Sequence, residues 1–141
     1  MTDIMGWRLC ESKFIRIVEK DEEKTASIIE TADKRLDFIK SNEPTNENVS
    51  FIVEGYYEII KELLVALLLK NGLKSGNHQC LISFFYKEHP DHEFEANLIS
   101  QMSYFRNRLN YYGEEVDFGF YDKNKDEFGK IIGLLKELIK K

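Results

Sequence analysis

The sequence predicts an all-α fold, an antiparallel helical bundle with four main helices and one or two short ones. Three observations carry that expectation. Only two prolines occur in 141 residues, so long stretches lack the residue that most often breaks helices. Apolar residues recur at steps of three and four rather than alternating, which is the spacing of a helix face. The chain is 43% hydrophobic and 32% charged, enough to bury a core and too apolar for a disordered chain. Its length suits one domain, 1–141. No internal repeat, long heptad array or second domain is visible.

The elements follow in order. Trp7, Cys10, Phe14 and Val18 place a first helix at about 5–19. The run EKDEEK at 19–24 either breaks it or continues it as a solvated face. Ala26, Ile29, Ala32, Leu36 and Ile39 form the stripe of a second helix, about 22–41. SNEPTNENVS at 41–50 is a polar loop, stopped by Pro44 and its Asn and Ser neighbours. The strongest helix spans about 48–71. Ile52, Tyr56, Ile59, Leu63 and Leu67 set its face, and Ile60, Leu64 and Leu68 widen it, so it should be central. Tyr56 and Tyr57 fit a core or an interface equally. Gly72 is the expected C-terminal stop. A short helix at about 76–88 should end before His89-Pro90, because the residue before proline disfavours helix. Asp91 can cap the next helix, about 92–113, where Phe94, Leu98, Met102, Phe105, Leu109 and Tyr112 make a seam. The last helix, about 124–140, buries Phe128, Ile131, Leu135 and Leu138.

Bulk properties exclude several classes. The net charge is −5, so the whole surface does not suit long nucleic acid, although a local basic site remains open. The longest apolar run, LLVALLL at 63–69, is far short of the roughly 20 residues of a membrane-spanning helix. The start MTDIMGWRLCESKF lacks the apolar core of a signal peptide. Cys10 and Cys80 are far apart and match no metal or redox spacing, which makes a reducing cytoplasm the default expectation.

Recognisable chemistry is sparse. No phosphate-cradling glycine loop and no nucleophile elbow occurs. His89 and His92 straddle Pro90, and nothing supplies a clear third ligand, so neither a metal nor a cofactor is expected. His78 follows Gly76-Asn77, where capping or simple exposure is the plain reading. Carboxylates lie among lysines on helices, where most make weak pairs.

One stretch differs. YFRNRLNYYG at 104–113 holds two arginines, two asparagines and three tyrosines, and from Ala96 to Gly113 the only charges are Arg106 and Arg108. Arg106 and Asn110 are four apart, as are Asn107 and Tyr111, so each pair can share a helix face. Arginine presents a planar fork of donors that suits phosphate. Asparagine adds donors and an acceptor, and tyrosine can stack on a base. The alternative is an exposed C-terminal turn, where cations complement the helix dipole.

FIVEGYYEIIKELLVALLLKNGLKSGNH (51–78) resembles the long second helix of HEPN domains, with paired aromatics, a Leu- and Ala-rich run, then Gly and a polar turn ending in His. FRNRLNYYG (105–113) resembles the HEPN signature: an Arg, usually an Asn after it, a His five positions after the Arg, and often a Tyr two further on. The resemblance covers about 48–140. Arg106 and Asn107 fall on the signature's Arg and Asn. Tyr111 stands at the His position, and Gly113 at the later Tyr, with Tyr112 adjacent.

The resemblance implies a helical bundle that forms a homodimer, with signature helices meeting near the dimer cleft. It implies either a metal-independent endoribonuclease, of the kind found as a toxin beside a nucleotidyltransferase antitoxin, or an inactive module that binds RNA, a nucleotide or such a partner. In the first case Arg106, Asn107 and Tyr111 would be catalytic, and Arg108, Asn110, Tyr112 and His78 would contact RNA. Cleaving RNA without a metal requires deprotonation of the 2′-hydroxyl and stabilisation of the phosphorane. Histidine exchanges protons near neutrality, whereas an unperturbed tyrosine titrates near about 10. Five residues also turn Tyr111 roughly 140° away from Arg106 on a regular helix.

Overall fold

The computed structural model describes residues 4–141. Its elements are α1 (Trp7–Lys13), β1 (Ile15–Ile17), α2 (Glu22–Lys40), α3 (Val49–Lys70), β2 (Leu73–Ser75), α4 (His78–Glu88), α5 (Glu93–Tyr112) and α6 (Phe118–Lys140), with a 3-10 turn at Pro90–His92. The fold is an all-α helical bundle carrying one small two-stranded sheet. Four long helices and two shorter ones match the expected architecture. Among the described residues no helix is long and apolar enough to cross a membrane. The first three residues of the stretch read for a leader lie outside that range.

α3 is the axis. It is apolar nearly all round, as a helix buried on every side must be, and α2, α4, α5 and α6 all pack on it. Tyr56 and Tyr57 are both core residues. α2 runs antiparallel to α3: Ile39 near its end lies against Gly55, and Thr25 near its start shares a cavity with Lys70. α5 is also antiparallel, since Arg106 meets Glu58 while Val116, beyond its end, bonds Ser50. α6 then returns parallel to α3, with Phe128 on Tyr56 and the Lys70 ammonium on the Leu138 carbonyl. α2 and α5 thus run antiparallel to α3, and α6 runs parallel to it.

Most boundaries fall within two residues of expectation, and the differences have local causes. The first stretch is not one helix to 19. Ile15, Ile17 and Val18 are β-branched, which favours extended backbone. β1 pairs antiparallel with β2, Ile15 opposite Ser75 and Ile17 opposite Leu73. The charged run breaks the chain: Asp21 accepts the Lys24 N–H at 2.9 Å and caps α2. Gly72 stops α3 in the left-handed region, φ 72°, a conformation glycine adopts without a Cβ clash. Asp91 does not cap α5 but lies within the 3-10 turn, and His92 precedes α5 without a side-chain cap. α6 begins at Phe118 rather than 124 because Phe118, Phe120 and Tyr121 pack inward on its first turn. On α5, Leu98 and Met102 are buried, but Phe94 and Tyr112 at the two ends are exposed. The three-four spacing gives the direction of a face, not how much of its length a neighbour covers.

The cysteines correct the reading that left them unpaired. Cys10 and Cys80 form a disulfide across a sequence separation of 70, with both side chains buried. Two packing steps bring them together: β1 zips to β2, and α1 packs on α4. The pairing removes the argument for a reducing compartment, which rested on unmatched thiols.

Candidate functional site

Three helices contribute to one polar corner. α3 presents Glu58, Lys61 and Glu62 on its least covered side. The Lys61 ammonium sits 2.8 Å from Glu58 Oε2 and 3.3 Å from Glu62 Oε1. Burial works against the Lys61 charge, and the two carboxylates outweigh it, so its pKa is raised. The other Glu58 oxygen, Oε1, lies 3.5 Å from Arg106 Nε on α5. Glu58 thus bridges two cations from two helices.

Arg106 is held without being used up. Its guanidinium donates to Asn107 Oδ1 at 3.3 Å. Its Nε is buried and makes no hydrogen bond, since the Glu58 contact is an ion pair without hydrogen-bond geometry. A buried donor without a hydrogen bond costs about 1–3 kcal/mol, and the charge of the Glu58 carboxylate beside it offsets part of that cost.

α4 brings the third part. Asn77 caps it, accepting from the Gln79 and Cys80 N–H groups at 2.9 and 3.3 Å. The cap is therefore Asn77, and His78 is the first helical residue. Gln79 Nε2 donates to Ser103 Oγ at 3.0 Å, one helical turn before Arg106. Ser103 also hydrogen-bonds the buried Tyr57 side chain, whose pKa burial raises against that bond. The Tyr57 and His78 rings are 6.5 Å apart. Burial lowers the His78 pKa below 6.5, helped by the Lys61 and Arg106 charges and opposed by Glu58 and Glu62.

The remaining expected residues divide from this corner. Asn107 lies beside Arg106 and holds it. Asn110 is exposed, and nothing ties it to the cluster. Arg108 points elsewhere: its guanidinium forms a two-point pair with Glu114, Nε to Oε2 at 2.9 Å and the second nitrogen to Oε1, and lies 4.4 Å from the Tyr112 ring centre. Tyr111 is 72% exposed. α5 stays helical through Tyr112, so no bend brings Tyr111 back to Arg106. His89 and His92 flank Phe85 at the far end of α4.

Glu58, Lys61, Glu62, Gln79 and Ser103 were not singled out by sequence, and Tyr57 was read only as core or interface. A signal was present: Glu58, Lys61 and Glu62 are three charges at helical spacing inside the most apolar helix of the chain. Chemically, the corner offers two cations fixed by two carboxylates and an imidazole held toward its neutral form. No family model, no curated protein and no solved structure matches the chain.

Proposed function

We propose that the corner around Arg106 binds an RNA phosphate and that the chain is an HEPN-type endoribonuclease acting without a metal. The carrying observation is the state of Arg106: half-buried, held by the Glu58 carboxylate at its Nε and by Asn107 at its terminal nitrogen before any ligand is present. The planar guanidinium suits a phosphate oxygen, and an arginine fixed before the substrate arrives stabilises developing negative charge without reorganising. Lys61 lies on the same side, paired with Glu58 and Glu62. In this reading Arg106 stabilises the phosphorane and Asn107 positions Arg106. The test is cleavage of RNA in EDTA by the wild type and by Arg106→Ala. Loss in the variant, with its helical signal intact, is expected; equal cleavage by both sinks the proposal.

One observation favours a second reading. Tyr111, which stands at the signature's histidine position, is turned to solvent and away from Arg106. A chain lacking that imidazole would serve as a binding module for RNA, a nucleotide or a nucleotidyltransferase partner. Retained RNA binding without any cleavage would select it. A homodimer and a toxin–antitoxin pairing belong to either reading. Exposed Tyr104, Tyr111 and Tyr112 leave aromatic surface on α5 for such contacts.

A further inference from the structure

We infer that His78 accepts the 2′-hydroxyl proton when RNA is cleaved at the Arg106 corner, the task that Tyr111 is not placed to perform. The inference rests on the ribonuclease reading above.

Placement comes first. Four contacts enclose the corner as a ring: Glu58 to Arg106 at 3.5 Å, Gln79 to Ser103 at 3.0 Å, Ser103 to Tyr57, and Tyr57 to the His78 ring at 6.5 Å between centres. Tyr57 and Glu58 are consecutive on α3, and His78 and Gln79 on α4. The chain therefore cannot move His78 far from Arg106 without breaking a contact between helices. Asn77 already caps α4, so the imidazole is not spent on that task. No other histidine can substitute. His89 and His92 lie at the opposite end of α4, roughly 16 Å along its axis.

Charge comes second. The groups acting on His78 are Lys61, Glu58, Glu62 and Tyr57 from α3 and Arg106 from α5. Burial and the two cations hold the imidazole neutral around pH 7, which is the form that can accept a proton. The same cations stabilise charge at phosphorus. The two glutamates oppose them and temper the cost of the imidazolium that forms.

The 2′-hydroxyl proton passes to an imidazole nitrogen as the 2′-oxygen bonds phosphorus. The phosphorus–O5′ bond breaks, and the 5′-oxygen takes a proton from water. The resulting hydroxide removes the proton from the imidazolium. The products are a 2′,3′-cyclic phosphate and a 5′-hydroxyl end, and DNA of the same sequence is not cut because it has no 2′-hydroxyl.

The test uses a mixed-sequence RNA oligonucleotide in EDTA, from about pH 5 to 8. The wild-type rate should fall on the acid side with an apparent pKa below 6.5. His78→Gln should cut at least about 100-fold more slowly and lose that acid limb. Added imidazole should restore part of the rate to His78→Ala, which separates lost chemistry from lost fold. His92→Gln should match the wild type. By NMR, the His78 titration should move up toward 6.5 in Arg106→Ala. Cleavage by His78→Gln at the wild-type rate and pH profile overturns the role of His78 and leaves the ribonuclease reading standing. No cleavage by the wild type overturns both.

Discussion

Arg106 and Arg108 are two residues apart and live in different surroundings. Arg106 is oriented by Glu58, 48 positions earlier in the chain and on another helix. Arg108 is oriented by Glu114, six positions on, and lies on Tyr112 of its own helix. A two-residue step turns roughly 200° around a helix, so neighbours in sequence become opposites in space. An arginine's value as a site depends on what holds it. A tertiary partner fixes Arg106 before any ligand arrives. A local partner satisfies Arg108 and leaves it little to offer.

Truncating each arginine in turn separates the two surroundings most widely. Arg106→Ala should cost about 10²–10³ in cleavage rate, the usual effect of removing a preorganised donor. Arg108→Ala should change the rate by less than tenfold. Equal losses, read from RNA cleavage time courses, would mean that the two arginines act as one patch.

The next test removes what fastens α4 to the corner. Replacing both cysteines, Cys10→Ser with Cys80→Ser, should destabilise the chain by roughly 2–4 kcal/mol in urea or thermal unfolding. Because Cys80 lies two residues beyond His78, the loss should be accompanied by a change in the His78 titration. An unchanged titration would mean that the Gln79–Ser103 bond alone sets the corner.

A smaller effect probes the far end of α5. The Ser50 hydroxyl accepts the Val116 N–H at 2.8 Å, and both residues are buried. Ser50→Ala leaves that N–H unmade and should cost about 1–3 kcal/mol, seen as a lower urea midpoint with an unchanged slope.

The smallest effect concerns Glu114. Glu114→Gln breaks the exposed pair with Arg108, and exposed pairs contribute little. Its melting temperature should stay closer to wild type than that of Ser50→Ala. A larger drop would show that the end of α5 is held by charge rather than by Gly113 and the Ser50–Val116 bond.

The same contrast explains how far the sequence could be read. Periodicity placed the long helices because each buried face repeats within its own element, as Ile52, Ile59 and Leu63 do on α3. It missed β1, since three residues are too few to display a period, and it began α6 late because the polar run after Tyr121 hides the packed first turn. At the site, Arg106 and Asn107 were legible because they are adjacent. Glu58 and Lys61 were passed over as an ordinary surface pair, because nothing local shows that Glu58 reaches a second helix. The joining of Cys10 to Cys80 could not be read from any spacing rule either. It depends on β1 meeting β2.

That bond also decides how the molecule would carry load. Residues 10 to 80 form a covalently closed ring, and α5 and α6 hang from it as a tail. A pull applied at the two chain ends runs from α1 through the two sulfurs into α4 and out along the tail, so α2 and α3 are bypassed. Full extension would fall short by roughly 250 Å, the span of the 70 residues locked in the ring. A protease cutting the loop between α2 and α3 would release no fragment until the sulfurs were reduced.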